Sequence, residues 1–335
     1  MSRRALLTCV ALLGACAESG SHPSVVRNEW QVEYQHADGA LMSIWGTESG
    51  EVWAVGGQAG RGLILERRDG AWQPAPVAAH GLLWWVYGFG RDDVYAVGEQ
   101  GVALHNDGSG WRPVPVAWGG TPLSDRTLYG LWGASGDDVW AVGGDPNGGQ
   151  AVVLRGNREG LSPVDGIPAA LLPSALFKIY GFTADDVFAV GTAGTVLRWS
   201  GGVWTRDEVP TDKALTSLWG RSATDVYAVG GVDQGVVLHY DGTRWGVVDT
   251  VEPGPGLFGV FTAPGQPVVA VGGGPRVVEM AGPGRVEEPW VPVESFDTVL
   301  HSVWGDGSSA LWAVGGSLLS YPAPMNGVVL RLEAR

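Results

Sequence analysis

The tripeptide Ala-Val-Gly recurs seven times along this chain of 335 residues. Its occurrences begin at Ala54, Ala96, Ala141, Ala189, Ala228, Ala270 and Ala313. A repeat of about forty residues built on short apolar runs is typical of a β-propeller, in which each repeat forms one four-stranded blade. The repeats therefore predict an all-β fold, a seven-bladed β-propeller with four antiparallel strands per blade.

Each repeat opens on a leucine, two variable residues, an apolar residue, an aromatic residue and usually a glycine, as from Leu41 to Gly46. A second apolar run is centred eight residues after the aromatic, as Trp53 follows Trp45. This run is apolar at consecutive positions, which predicts a strand buried on both faces. A glycine ends each run, and β-branched and aromatic residues are frequent, which favours a strand over a buried helix.

The third and fourth strands are predicted on either side of a tight turn, for example Asp241-Gly242 ahead of Trp245. Asp-Gly favours a hairpin because glycine accepts positive φ and the aspartate side chain can bond the amides of the turn. The outer strands of the third and sixth repeats depart from this pattern, around Leu161 and Val286.

The last repeat has no fourth strand, since the chain ends at Arg335 soon after the run 328–332. A Trp-bearing segment, 29–34, precedes the first repeat. We expect this N-terminal segment to complete the last blade and so to remove an exposed sheet edge.

The Asp-Gly turns resemble a shortened Asp-box, the Asp-x-Gly-x-x-Trp hairpin of sialidase-type and photosystem-assembly-factor-type propellers. In those families the motif stabilises the fold and is not catalytic. The whole repeat is similar to the WG…DVWAVG units of bacterial surface lipoproteins. The resemblance covers residues 29–335 and implies the fold, while saying little about a ligand. An Arg-Ile-Pro motif, which six-bladed sialidases carry, is absent near the start of the sequence.

Residues 1–28 have the composition of an export segment rather than of a blade. Arg3 and Arg4 precede an apolar stretch that ends in Leu13-Gly14-Ala15-Cys16, the order of charge, apolar run and small residues that marks a secretion signal. The last four residues resemble a bacterial lipobox, which implies that Cys16 is diacylated and becomes the first mature residue. An ordinary cleavage site after Ala15 or Ala17 is the alternative.

The predicted organisation is therefore a lipoprotein signal peptide over 1–15, an anchor linker over 16–28 and the propeller over 29–335. We expect the bacterial cell envelope as the location, with Ala17 after the cysteine favouring the outer membrane, and otherwise the periplasm or medium. The only two cysteines, Cys9 and Cys16, lie in this N-terminal region. No disulfide is expected in the propeller.

The charge of the chain limits its partners. There are 21 Lys and Arg against 35 Asp and Glu, a net charge of −14, and removal of Arg3 and Arg4 makes it 19 minus 35, or −16. Nucleic-acid binding is excluded by the lack of a basic face. Adsorption to anionic lipid is disfavoured in the same way, so a lipid anchor would be the only membrane attachment. We expect a monomer.

Variation among the repeats points to a binding face. The loops between second and third strands vary in length, up to Ser317–Asn326, and so do the connectors at 112–127 and 157–175. Up-and-down strand order places both sets on one face, the default binding face of a repeat scaffold. The first variable residue of each opening is predicted at the channel mouth on that face: Met42, Trp84, Tyr129, Phe177, Thr216, Phe258 and His301, with Trp85 and Lys178 beside them.

These aromatic residues could stack on sugar rings or hold an apolar peptide side chain, or they could simply pack between blades. Carboxylates that precede the second strand, at Glu51, Asp93, Asp138, Asp186 and Asp225, could form a Ca²⁺ ring, but we expect each to cap amides of its own turn. The six histidines (His22, His36, His80, His105, His239 and His301) show no metal-binding spacing. No cofactor is predicted.

The sequence therefore favours a binding or assembly module that recognises an extracellular protein or glycan, and not an enzyme. A glycoside-active enzyme is the first alternative, for which Glu99, Asp145, Asp233 and Asp249 would supply the carboxylates. A purely structural envelope protein is the second.

Overall fold

The computed structural model of the chain describes residues 29–118, 121–249, 251–282, 284–293, 297–307, 310–320 and 324–333. Within these residues seven four-stranded antiparallel sheets form the blades, which confirms the predicted seven-bladed β-propeller. The predicted signal peptide, the linker and Cys16 lie outside the described residues. No helix in the described part is long and apolar enough to cross a membrane.

The strands follow the chain blade by blade. The N-terminal strand is β1 (Gln31–His36). Blade 1 contains β2 (Ala40–Gly46), β3 (Val52–Gln58), β4 (Arg61–Arg68) and β5 (Ala71–Pro74); blade 2 contains β6 (Leu83–Gly90), β7 (Asp93–Gly98), β8 (Ala103–Asn106) and β9 (Trp111–Pro113). A hairpin of β10 (Ala117–Trp118) and β11 (Thr121–Pro122) lies in the following connector.

Blade 3 contains β12 (Thr127–Ser135), β13 (Asp138–Gly144), β14 (Val152–Asn157) and β15 (Gly160–Pro163); blade 4 contains β16 (Leu176–Thr183), β17 (Asp186–Gly191), β18 (Thr195–Ser200) and β19 (Val203–Arg206). Blade 5 contains β20 (Leu215–Ser222), β21 (Asp225–Gly230), β22 (Val236–Tyr240) and β23 (Trp245–Val247). Blade 6 contains β24 (Leu257–Phe261), β25 (Val268–Gly272), β26 (Val277–Gly282) and β27 (Arg285–Glu287). Blade 7 contains β28 (Val299–Gly305), β29 (Ala310–Gly316) and β30 (Gly327–Glu333). Short 3-10 helices span Glu99–Gly101, Ala169–Leu171 and Leu318–Ser320.

The two residues that are separated by eight positions in each repeat form a cross-strand pair. Trp45 lies directly opposite Trp53, and Trp304 lies opposite Trp312. The rings of each pair are stacked, with centroids 5.7 Å and 5.5 Å apart respectively. The equivalent residues of the other five blades are paired in the same register. A constant spacing in the sequence therefore reports one hairpin geometry for all blades.

Every first strand contains a β-bulge directly after its opening leucine. In blade 1, Leu41 pairs with Gly56 and Ser43 pairs with Val55, which leaves Met42 as the extra residue. The other six blades repeat this irregularity at the same place. A bulge turns its extra side chain away from the regular alternation of the strand. The bulged residues are the ones that the sequence placed at the channel mouth.

The glycine of Ala-Val-Gly is required by this bulge. A Cβ on Gly56 would overlap the carbonyl oxygen of Ala40, the residue before the leucine, and the same overlap would occur at Gly143 with the Thr127 oxygen. Only a residue without a side chain lets the two strands approach this closely. The glycine of Ala-Val-Gly, which recurs in all seven repeats, is therefore needed to accommodate the bulge.

The glycine after the first-strand aromatic has a different function, which is contact between blades. A Cβ on Gly88 would lie 2.6 Å from the Trp45 ring of the preceding blade, and one on Gly181 would lie 2.7 Å from the Trp132 ring. In each of these cases the glycine leaves room for an aromatic ring of the preceding blade. This stacking buries both faces of the inner strands.

Closure of the ring occurs as predicted. Strand β1 pairs antiparallel with β30 and forms the outer strand of blade 7. The strand begins at Gln31, and Trp30, just before it, is only 1% exposed. The third and sixth blades retain short fourth strands that include Leu161 and Val286.

The Asp-Gly turns also bond as expected. Asp241 accepts the amides of Thr243 at 2.8 Å and Arg244 at 2.9 Å, and Asp107 accepts the amide of Ser109 at 3.0 Å. The Thr243 hydroxyl, together with these amides, lowers the pKa of Asp241 to about 2.

Candidate functional site

The seven bulges lie at one end of the propeller channel. Each bulge is opposite the last residues of the second strand, where the variable loop to the third strand begins, as Leu83 is opposite Gly98. The connectors from one blade to the next arrive at the same end, because each leads directly into a first strand. The channel mouth and the variable loops therefore share one face, as the sequence indicated. We call it the loop face.

Five of the seven bulged residues form a continuous band of rings, which we call the aromatic belt. In order it runs Phe177, Tyr129, Trp84, His301 and Phe258, with successive centroids 5.2, 5.0, 5.5 and 5.8 Å apart. The first three contacts are edge-to-face and the last is stacked, both favourable geometries for aromatic pairs. All five side chains are partly exposed. The belt is thus a formed apolar surface at the mouth that remains accessible from solvent.

The other two bulged residues do not join the belt. Met42 is fully buried in a small cluster with Leu82 and Met325, covered by Leu318. Its carbonyl oxygen accepts a hydrogen bond from His301 Nδ1 at 2.8 Å. Thr216 donates its hydroxyl to the Leu257 carbonyl at 2.7 Å. Met42 therefore supports the His301 ring through its carbonyl, and Thr216 links blade 5 to blade 6.

Trp85 and Lys178 occupy a deeper layer than the belt. Lys178 is 2% exposed, and its Nζ lies against the face of the Trp85 ring. The equivalent positions of the other blades carry only small residues: Ser43, Gly130, Ser217, Gly259 and Ser302. The sequence placed these two side chains beside the mouth residues; in the structure they are buried beneath the belt.

Ionisation in the channel is shifted toward neutral forms. Burial lowers the pKa of Lys178 well below its ordinary value. Burial also lowers the pKa of His301 to about 4, the bond to the Met42 carbonyl opposes this, and the proximity of Lys178 lowers it further. Burial raises the pKa of Tyr129, and Asp145 and Glu99 contribute to that rise. Burial therefore favours the uncharged forms of Lys178, His301 and Tyr129.

A second feature of the loop face is a cleft of about 610 Å³ at blade 6, lined by its loop between second and third strands and by the connectors before and after the blade. We call it the Pro-Trp cleft; its walls include Pro253, Pro255, Pro275, Pro289 and Trp290. Arg276 crosses its floor, ion-paired with Glu288 and bonded to the Glu252 carbonyl at 2.6 Å. Trp290 is 72% exposed. Sequence reasoning missed this cleft, although Trp290 stands outside the tryptophan positions of the repeat.

Exposed large apolar side chains are concentrated on the loop face. Of the seven in the described residues, Trp118, Val232, Trp290 and Leu319 are on loops or connectors of this face. The other three, Val32, Val203 and Val247, lie on outer strands. Exposed apolar groups that cluster on one surface mark a binding site more often than scattered ones do.

Four of the five carboxylates before the second strands bond basic side chains of the third strand. Asp93 bonds His105 at 2.7 Å, Asp138 bonds Arg155 at 2.6 Å, Asp186 bonds Arg198 at 3.1 Å and Asp225 bonds His239 at 2.8 Å. The expectation that these four cap amides of their own turns is wrong. Glu51 stays within its turn and accepts the hydroxyls of Thr47 and Ser49. The described residues contain no group of three or more His, Cys, Asp or Glu arranged for a metal ion.

The four carboxylates considered for glycoside chemistry are spread over several loops. Glu99 accepts the Leu82 amide at 2.9 Å, and Asp145 accepts the Asn147 amide at 2.9 Å. Asp233, in the blade 5 loop, and Asp249, in the next connector, are exposed. Glu99 therefore links its loop to the preceding connector, and Asp145 orders its own loop.

Several solved structures are similar in fold to this chain. Ycf48 from Cyanidioschyzon merolae has a TM-score of 0.65 at 17% identity, covering 91% of this chain and 98% of that one. Ycf48 bound to a D1 peptide has a TM-score of 0.64 at 16% identity, covering 93% and 99%. Virginiamycin B lyase from Staphylococcus aureus has 0.67 at 13%, covering 90% and 99%. No family model matches the sequence, and no curated protein does. At these identities the likeness shows the fold alone.

Proposed function

We propose that this protein is a lipid-anchored binding or assembly module of the bacterial cell envelope, which recognises an extracellular protein or glycan through the loop face. The observation that carries the proposal is the aromatic belt, because the bulges bring five of their seven extra side chains together as partly exposed rings at one mouth. The exposed parts of these rings are available to a ligand.

A protein partner is favoured over a glycan by the surroundings of the mouth. The exposed Trp290 and Leu319 add apolar surface to the loop face, and the Pro-Trp cleft offers a groove for an extended segment. Protein interfaces are enriched in tryptophan and other aromatic residues at their centres. The similar fold of Ycf48, which has been solved with a D1 peptide, supports the use of such a propeller for peptide recognition.

The binding test uses the chain with Cys16→Ser, immobilised and exposed to envelope extract and to a glycan array. The loop-face variants are Trp290→Ser and Leu319→Ser. The matched controls are Val203→Ser and Val247→Ser, which remove exposed apolar groups from outer strands. A partner lost only with the loop-face variants supports the proposal. Equal binding by all four variants, or equal loss, contradicts it.

The lipid anchor rests on the Leu13-Gly14-Ala15-Cys16 sequence and is tested separately. Cys16→Ser removes the acyl acceptor, so the protein is expected to move from the detergent-soluble membrane fraction to the periplasm or medium. Unchanged membrane association would contradict the anchor and leave the binding proposal intact.

A glycoside-active enzyme is the second candidate. It is favoured by one observation, that Glu99 and Asp145 both act electrostatically on Tyr129 at the mouth. The test is hydrolysis of a panel of aryl glycosides by the wild type and by Glu99→Gln and Asp145→Asn. Activity lost in either variant would replace the binding proposal, whereas its absence from the wild type would remove this candidate.

A further inference from the structure

Lys178 is a buried amine without a partner. The other buried Lys or Arg side chain in the described residues, Arg276, is ion-paired with Glu288. The Nζ of Lys178 has no hydrogen-bond partner among the described residues and points into the channel against Trp85. A buried donor without an acceptor costs the full penalty of its lost hydration. Such a group calls for an explanation beyond the fold.

The fold does not need this lysine. The equivalent position in five other blades is serine or glycine, and those blades have the same bulge and the same strand register. A methionine would fill the same space without a polar atom. No other blade buries an amine at this position. Residues that reduce the stability of the fold are often found where proteins bind a ligand or react.

The surroundings of Lys178 supply no negative charge. In the belt above it, the titratable groups are Tyr129 and His301; its own layer holds Trp85, serines and glycines, and the next layer down is aliphatic. Contact with the Trp85 face would favour an ammonium by about 0.5–2 kcal/mol. Desolvation of one buried ion costs several kcal/mol. Desolvation is larger, so burial favours the neutral amine, and an anion beside Nζ would favour the ammonium.

We propose that the channel beneath the aromatic belt binds a carboxylate attached to an apolar group, with Lys178 as its cationic partner. This deepens the proposed function, since it names the ligand chemistry of the same mouth. The carboxylate oxygens accept hydrogen bonds from Nζ, and the apolar part packs on the belt. A single amine matches the single charge of a carboxylate, whereas a phosphate dianion would remain half uncompensated.

Binding then takes up protons from solvent. Burial favours the neutral amine in the free protein, the complex holds an ammonium and the carboxylate enters as the anion, so each amine that was neutral takes up one proton. Proton uptake makes the apparent affinity fall by about tenfold per pH unit over the range between the amine's free and bound pKa values. Neutral ligands of the same shape gain nothing from the amine and show no such dependence.

The experiment is isothermal titration of the Cys16→Ser chain with 3-phenylpropionate and with the uncharged 3-phenylpropanamide. N-acetyl-Ala-Phe with a free or an amidated C-terminus forms a second pair, which distinguishes a peptide terminus from a free acid. Titration in buffers of different ionisation enthalpy gives the number of protons taken up. We expect at least one acid to bind, with close to one proton, and its amide to bind at least tenfold more weakly.

Lys178→Met is the decisive variant. It should reduce the affinity for the acid at least tenfold and melt no earlier than the wild type, because it removes an unpaired buried amine. Lys213→Met, which removes the other lysine at an exposed site, should leave binding unchanged. Wild-type affinity in Lys178→Met, equal binding of acid and amide, or no binding of any acid would overturn the inference. If the carboxylate inference fails but binding of an envelope partner still requires Trp290, the proposed function is retained without the carboxylate site.

Discussion

Glu33 joins the first and last blades of the ring. Its carboxylate accepts a hydrogen bond from Trp72 Nε1 of blade 1 at 3.2 Å and one from Trp312 Nε1 of blade 7 at 3.1 Å. It is also ion-paired with Arg67 of blade 1. Glu33 is the bulged residue of β1, since Val32 and Tyr34 pair with consecutive residues of β30. The bulge therefore directs this carboxylate toward the boundary between blades 1 and 7. We call this boundary the seam.

We predict that Glu33→Ala destabilises the propeller by about 3 kcal/mol, because it leaves a mostly buried arginine and two indole N–H groups without their acceptor. Urea unfolding followed by tryptophan fluorescence measures the change. Glu48→Ala, at an exposed glutamate in a turn of blade 1, is the control and should shift the midpoint little. Equal effects of the two substitutions would show that the bonds of Glu33 at the seam do not stabilise the fold.

The glycine of the repeat provides a second prediction. Gly143→Ala would place a methyl group against the Thr127 carbonyl oxygen, and the backbone on both sides is held in the sheet. We expect a loss of about 1–3 kcal/mol or more in the free energy of unfolding. Gly148→Ala, where a Cβ meets nothing within 4 Å, is the matched control in the same blade. A Gly143→Ala variant as stable as the control would mean that the bulge relaxes at no cost.

The sequence predicted blades and pairings but not the bulge. Pairing of Trp45 with Trp53 shows as a constant interval, whereas the extra residue at Met42 leaves no trace in spacing, since all seven blades share it. The side chains that bond the aspartates before the second strands could not be predicted for another reason. The interval is 12 residues from Asp93 to His105 but 17 from Asp138 to Arg155, because the loop between the two strands differs in length. Contacts across variable loops have no fixed spacing to read.

The burial of Lys178 beneath the belt could not be predicted from the sequence either. Positions that alternate along a strand differ in the direction of their side chains, but a bulge changes which residues share a direction. Phe177 and Lys178 are adjacent in sequence, yet one joins the belt and the other fills the channel. That Trp85 of blade 2 meets Lys178 of blade 4 depends on Gly130 lying between them in blade 3, a relation that appears only once the ring is closed.

His301 gives the propeller a pH dependence on the acid side. Its pKa is lowered in the folded state to about 4, from an ordinary value of 6.5. Between these values the unfolded chain binds the proton and the folded chain does not, so the free energy of unfolding falls as the pH falls through this window. At about 1.4 kcal/mol per pKa unit, the loss approaches 3 kcal/mol near pH 4 and changes little below it.

The measurement is urea unfolding at several pH values between 4 and 7, for the wild type and for His301→Gln. The variant should lack this part of the slope, while the contribution of the carboxylates remains in both proteins. Parallel curves for the two proteins would show that His301 titrates normally in the folded state.

The aromatic belt can be tested apart from the fold at Phe258. Within the belt its ring contacts only His301, in a stacked arrangement with centroids 5.8 Å apart, so Phe258→Ala removes the end of the band and leaves the other four rings in contact. If the belt is a binding surface, the substitution should cost about 1–3 kcal/mol of affinity for the captured partner and little stability. If the ring is there to pack, it should instead cost a few kcal/mol of stability through a cavity. Affinity by surface plasmon resonance and the thermal midpoint, measured on the same preparation beside Val203→Ala, separate the two. An early melt with unchanged affinity would assign the belt to the core, and the loops around Trp290 and Leu319 would then be the part of the loop face that recognises the partner.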